Sequence, residues 1–185
     1  MTEKKNIFVI IGSASRNSAN QKLVDNFAEL TKEYFELTIL NNLKTLPHFD
    51  PELSVDNTPK EIVTLRIQIE KADGILICTP EYIFSIPSGL KNLIEWLVST
   101  TILTDKPTGL ITASASGQKA HDELQLIMKT VMAQFIDETT LLIQGIKGKI
   151  NDEGQIIDQK TKGDLVAFTN AFKILVTKVN HFSRV

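Results

Sequence analysis

Five short apolar runs rich in β-branched residues, at 7–12, 35–40, 74–79, 108–113 and 140–144, alternate along the chain with segments of helical spacing. Each run has the length and residue types of a strand buried on both faces. Between and after them, Leu23, Phe27 and Leu30 form one stripe, Ile62, Leu65 and Ile69 a second, and Leu90, Leu93, Ile94 and Leu97 a third. Leu124, Ile127, Met128 and Val131 continue the series, and Leu165, Phe168, Phe172, Leu175 and Val179 close it. Spacings of three and four place each set on one side of a helix. Parallel neighbours require crossover helices, so five strands alternating with five helices predict a doubly wound α/β sandwich. Right-handed crossovers and the common strand order 2-1-3-4-5 would put a ligand crevice at the carboxyl ends of the strands, between strands one and three.

The 185 residues suit one domain, and no repeat or low-complexity linker divides them. Twenty Lys and Arg against 22 Asp and Glu leave a net charge of −2, too weak a field to favour nucleic acid or an anionic membrane. No segment approaches the roughly 20 apolar residues of a membrane span, and the first run is too brief for a signal peptide. The lone Cys78 sits among apolar neighbours and suits a buried thiol in a reducing compartment, so the cytoplasm is the expected location. His48, His121 and His181 lack metal-ligand spacing, and His121 reads as a surface residue near a helix start. No metal is expected. Residues 41–59 form a long polar connection with three prolines, of the kind that shapes a site or an interface, and residues 145–154 suit a small hairpin.

The first strand runs into Gly12-Ser13-Ala14-Ser15-Arg16-Asn17-Ser18-Ala19-Asn20, just before a helix. Unpaired N–H groups at a helix start, with hydroxyls and a guanidinium nearby, make an anion cradle. The segment lacks the Gly-Lys-Ser/Thr of a P-loop and the three-glycine dinucleotide fingerprint, so a monophosphate fits better than a triphosphate. Taken singly, Ser18 or Asn20 reads as a helix cap and Arg16 as a solvated charge. The third strand leads into Pro80-Glu81-Tyr82-Ile83-Phe84-Ser85-Ile86-Pro87-Ser88-Gly89-Leu90-Lys91-Asn92, and the fourth into Ser114-Ala115-Ser116-Gly117-Gln118. Pro87 suits the first position of a helix. Trp96 suits the core or a subunit interface, and Lys91 and Asn92 either orient the helix or touch a ligand.

The first two loops together resemble the NADPH-dependent FMN reductase family, whose flavodoxin-like members include quinone, chromate and azo-dye reductases. The specific part is Pro80-Glu81-Tyr82, then Ser85-Ile86-Pro87, then Leu90-Lys91-Asn92. The resemblance implies a three-layer flavodoxin-like sandwich in which Ser13, Arg16, Ser18 and Asn20 surround the FMN phosphate. Pro80, Glu81, Tyr82 and Ile83 would border the isoalloxazine, mainly through backbone groups, and Ser114, Ser116 and Gly117 would lie beside its pyrimidine part. The last three also suit an ordinary turn and N-cap. NAD(P)H is the implied co-substrate, with a quinone, free flavin or azo compound as the electron acceptor. The Gly117 N–H and the helix starting near Gln118 are expected to stabilise negative charge at the N1/O2 edge of the reduced ring. No acid–base role is expected of Glu81. Family members commonly dimerise or form tetramers, which makes Trp96 and residues 41–59 candidate interface elements. Where members commonly have Asn and Gly after the Tyr, this chain has Ile83 and Phe84. A non-catalytic electron carrier or flavin sensor is the competing reading, and a phosphate-binding hydrolase without flavin a third.

Overall fold

A computed structural model describes residues 3–15 and 17–179; Arg16 and His181 lie outside them. The strands are β1 (Lys5–Ile11), β2 (Phe35–Leu40), β3 (Gly74–Thr79), β4 (Thr108–Ser114) and β5 (Thr140–Gln144). The helices are α1 (Ala19–Thr31), α2 (Lys60–Lys71), α3 (Ser88–Val98), α4 (Gln118–Thr130) and α5 (Gln159–Val179). All four strand pairings are parallel and their order is β2-β1-β3-β4-β5, as the alternating pattern predicts.

The period of two along each strand sorts its side chains between two cores. Ile7, Val9 and Ile11 of β1, with Leu76 and Cys78 of β3, pack under α1 and α5. Phe8 and Ile10, with Ile75 and Ile77, pack under α2, α3 and α4. On the first face Phe27, Phe35, Phe168 and Phe172 stack in a cluster with ring centroids 5.8 to 6.4 Å apart. Gly109 lets this cluster reach the sheet, because a Cβ there would lie 2.8 Å from Phe168 Cζ. Every residue of β3 is buried, which is what a central strand covered on both faces requires.

The connection from β2 to α2 is tied down by polar contacts. Trp96 is fully buried and its indole N–H donates to the Pro47 carbonyl at 2.9 Å; Asn92 Nδ2 donates to the same oxygen. The Asn92 carbonyl in turn accepts from Phe49 N at 2.7 Å. Arg66 donates to the carbonyls of Ser54 and Trp96 and to Ser99 Oγ. Trp96 is therefore core and has no surface to offer an interface, a correction to its expected candidacy. Residues 145–154 form less than a hairpin: a 3-10 turn over Ile146–Gly148 precedes a lone antiparallel bridge between Ile150 and Ile156.

Candidate active site

The sheet order reverses at β1, and the loops following β1, β3 and β4 meet at the carboxyl edge. Ser18 caps α1 through its Oγ, which accepts from Gln21 N at 3.1 Å. This leaves the hydroxyl hydrogen, and the first-turn N–H groups of Ala19 and Asn20, without an intrahelical partner. Ser13 is buried and its Oγ accepts from Ser15 N at 3.2 Å, rounding the loop. The Asn20 side chain faces inward, away from any phosphate: Nδ2 donates to the Ala113 carbonyl at 3.2 Å and Oδ1 accepts from the Cys78 thiol. Asn20 thus fastens α1 to β3 and β4, and its backbone is what it offers an anion. Burial pushes the Cys78 thiol far up from its ordinary range, so it is an inert core group.

The loop after β3 is held on both sides. Tyr82 leans back so that its hydroxyl accepts from Ala14 N at 3.4 Å. Ser114 Oγ donates to the Glu81 carbonyl at 3.5 Å. The Glu81 carboxylate reaches across to the start of α4, accepting from Gly117 N at 3.2 Å and Ala120 N at 3.0 Å. In return Glu123 on α4 accepts from Ser85 Oγ at 2.7 Å and Ile86 N at 3.0 Å. Two carboxylates therefore latch this loop to α4 in opposite directions. The Gly117 N–H expected to face the flavin is bonded to Glu81, which corrects that assignment and gives the Glu81 side chain a structural role. Gly117 has φ 85°, a backbone conformation suited to glycine, and Ser116 is exposed on the same turn.

Ile83 and Phe84 occupy the two central positions of a tight turn closed by Tyr82 N to Ser85 O (2.9 Å) and Ser85 N to Tyr82 O (3.1 Å). Their φ values are 50° and 60°. Positive φ at both positions is the type I′ arrangement, for which Asn-Gly is the favoured pair. An L-residue with a Cβ held there costs about 1–2 kcal/mol, and a β-branched one is a clear outlier. Pro87 precedes α3 as its N-cap, with ψ 142°, and does not begin the helix as expected.

A cavity of about 390 Å³ opens at this edge, lined by Gly12, Ser13, Ala14 and Tyr82 together with Asn41, Leu43, His48, Ser88, Gly89 and Asn92. Of the expected site residues that are described, only Ser13 and Tyr82 line it. Asn41, Leu43 and His48 were not singled out from sequence; the proline-rich connection was the signal available. A Cβ at Gly89 would lie 3.2 Å from Leu43 Cβ, so glycine keeps this wall close. Lys91 turns away to pair with Glu95 at 2.9 Å.

His121 contradicts its sequence reading. It is buried in the first turn of α4, with Nδ1 3.0 Å from Thr112 Oγ1. Burial holds its pKa below the ordinary 6.5. The unfolded chain binds this proton at higher pH than the folded one, so the contribution is intact above about 6.5 and is lost as pH falls toward the folded pKa. Thermal midpoints measured between about pH 5 and 8 should fall on the acid side less in His121→Gln than in the parent. Parallel curves would refute it.

The donor set at α1, the small-residue loop and the cavity fit a phosphate joined to a largely apolar ring. No group of three His, Cys, Asp or Glu that could hold a metal occurs among the described residues. No helix there is long and apolar enough to cross a membrane.

Comparison with known proteins agrees. The model of the NADPH-dependent FMN reductase family matches residues 5–147. The chain is 28% identical over 186 residues to a quinone reductase of Escherichia coli K12, covering 97% of this chain and 99% of that one. It is 30% identical over 183 residues to the CrdA subunit of the NADH:(hydroxy)cinnamate reductase of Vibrio ruber, covering 94% and 90%. Among solved structures it superposes with a TM-score of 0.76 on FerB, a flavoenzyme NAD(P)H:(acceptor) oxidoreductase of Paracoccus denitrificans, at 26% identity over 94% of this chain and 98% of FerB. An azoreductase of Bacillus anthracis, 15% identical over 94% and 99%, shares the fold with a TM-score of 0.65. With its doubly wound sheet and its family match over most of its length, the chain belongs to the NADPH-dependent FMN reductase family and is an oxidoreductase of flavodoxin-like fold.

Proposed function

We propose that the chain works as a single FMN-binding unit, residues 1–185, that passes electrons from NAD(P)H to a small-molecule acceptor, with a quinone as the preferred class. FMN held there would supply the redox chemistry that carries electrons from the nicotinamide to the acceptor. The observation that carries this reading is the direct bonding of the β3 loop to both of its neighbours, through Tyr82 to Ala14 and through Glu81 to Gly117.

The chain's own groups have the following parts. The Ala19 and Asn20 N–H groups and the Ser18 hydroxyl hold the phosphate at the positive end of α1, with Ser13 shaping the loop and Arg16 adding charge. The backbone of Pro80, Glu81, Tyr82 and Ile83 walls the ring, and Ser114 and Ser116 close its polar side, on the turn whose Gly117 N–H is taken by Glu81. Two latching carboxylates keep that wall fixed, so little ordering remains to be done when the ring binds. Pairing into a homodimer or homotetramer and residence in the cytoplasm complete the proposal; the family resemblance supports the first, and the single buried thiol supports the second.

Anaerobic mixing of FMN-loaded protein with NADH or NADPH tests it. The flavin absorbance should bleach within the time of turnover and recover when a quinone is added. Failure to retain FMN after reconstitution would sink the reading, and slow bleaching with an accumulating one-electron form would transfer it to a carrier.

A further inference from the structure

We infer that Lys44 and His48, on the connection from β2 to α2, make one wall of the cavity at the carboxyl edge into a binding site for the negative group of an acidic electron acceptor. The ligand class is a small ring compound bearing a carboxylate, a sulfonate or an ionised hydroxyl. This inference rests on the oxidoreductase reading above and goes beyond it in the charge of the substrate.

Lys44 and His48 line the cavity, and they share it with Ser13 and Tyr82 of the loops proposed to hold FMN. A second ligand placed there would lie beside the cofactor. No Asp or Glu occurs among the described residues that line the space, so its charged lining is of one sign, supplied by Lys44. Both side chains are exposed, and neither makes a hydrogen bond or ion pair with a described residue. The backbone that presents them is fixed. Asn92 holds the residues on either side of His48, donating from Nδ2 to the Pro47 carbonyl at 2.9 Å and accepting at Oδ1 from Phe49 N at 2.7 Å. Trp96 donates to the same carbonyl. Lys44 lies in the 3-10 turn Leu43–Thr45, and Leu43 anchors that turn in the core it shares with Leu90 and Leu93 of α3. A ligand therefore has only the two side chains left to order.

Ser13 adds a donor on the opposite side of the space: it is buried, its Oγ accepts from Ser15 N, and its hydroxyl proton has no acceptor among the described residues. Hydrogen bonds from such groups to an ionised oxygen exceed those to a neutral one. The negative group could belong to the acceptor or to the phosphates of NAD(P)H, and size decides between them. A space of about 390 Å³ encloses a one- or two-ring acid, whereas a dinucleotide would leave much of itself outside.

The test uses FMN-loaded parent, Lys44→Gln, Lys44→Arg and His48→Ala. Equilibrium dialysis of the oxidised proteins compares redox-inert naphthalene-2-sulfonate with the neutral naphthalene-2-sulfonamide. Turnover compares 1,4-naphthoquinone-2-sulfonate with 1,4-naphthoquinone, read as the ratio of their kcat/KM values. In Lys44→Gln the preference for the sulfonate should fall about tenfold in both measurements, as expected for losing one charge-assisted hydrogen bond. His48→Ala should lose about threefold, the measure of a neutral one. Lys44→Arg should keep most of the preference, and added salt should erode it in the parent. Equal binding of the two naphthalenes by the parent, or parental preference in Lys44→Gln, overturns the proposal. So does a rise in KM for NADPH relative to NADH with the acceptor ratio unaltered, because the charge would then serve the nicotinamide. A weaker hold on FMN with sulfonate binding unaltered overturns it as well, because the two groups would then grip the cofactor. Reduction of the parent flavin by NAD(P)H separates these failures from failure of the oxidoreductase reading, in which the parent itself stays oxidised.

Discussion

Replacing Gly12 by alanine is expected to destabilise the fold by about 1–3 kcal/mol, the range for forcing a methyl group into a packed interior. The same substitution should weaken FMN retention. A Cβ at this position would lie 2.3 Å from Thr79 Oγ1, 2.8 Å from Thr79 Cβ and 3.2 Å from Leu90 Cδ2. Thr79 is wholly buried, and its hydroxyl is bonded to the Pro80 carbonyl. The first two contacts cannot both be relieved by turning the threonine about its own bond, since Cβ does not move in that rotation. The ends of β1 and β3 must separate, and the Gly12 N–H to Cys78 carbonyl bond of 2.9 Å holds them together there. Those ends lead into the two loops proposed to hold the phosphate and the ring, so on that proposal the strain falls where the cofactor is gripped. Urea unfolding of the parent, Gly12→Ala, Thr79→Ala and the double variant checks the mechanism. Removing Oγ1 should return part of the loss, giving a coupling energy of about 1 kcal/mol between neighbours. Strict additivity would show that the clash is not the cause.

The central strands were legible because burial on both faces leaves an unbroken apolar run, as in β1 and β3 from Ile7 and Gly74 onward. The edge strands β2 and β5, expected to be buried on both faces, are only partly so because each has one neighbour. The order of the sheet followed from the alternation of elements, and Ser18 was readable as a cap because capping is local, spanning three residues to Gln21. Partners distant in sequence were not readable. Glu81 meets Gly117 and Ala120 across 36 and 39 positions, and Trp96 meets Pro47 across 49. Nothing in the composition of a loop says which helix end its carboxylate will cap. His121 was misread for a related reason: it lies among polar neighbours, and only the packing of α4 against β4 reveals that its ring turns toward Thr112. Asn20 was read as a phosphate contact, whereas its side chain bonds the Ala113 carbonyl, because an amide suits a phosphate and a buried carbonyl equally well.

Glu81→Ala should destabilise the protein by about 1.5–3 kcal/mol, more than Glu81→Gln, because hydrogen bonds accepted by an ionised group exceed neutral ones. The carboxylate accepts from Gly117 N at the N-cap position and from Ala120 N in the first turn, where α4 presents the positive end of its dipole. Alanine removes both acceptors and the charge; glutamine keeps an oxygen for one N–H and turns its NH2 group toward the other. The effect should reach beyond stability. Without this latch the β3 loop keeps the Glu123 contacts, the Tyr82 bond to Ala14 N and the weaker Ser114 bond to the Glu81 carbonyl, and loses its direct tie to the start of α4. The wall proposed for the ring is then less ordered before the ring arrives, and the remaining ordering is subtracted from binding. FMN dissociation constants from fluorescence titration should therefore rise in the order parent, Gln, Ala, together with falling urea midpoints. The helix-capping account requires the two quantities to move together. An alanine variant with parental stability and altered FMN affinity would instead mean that the carboxylate leaves α4 and contacts the cofactor directly when it binds.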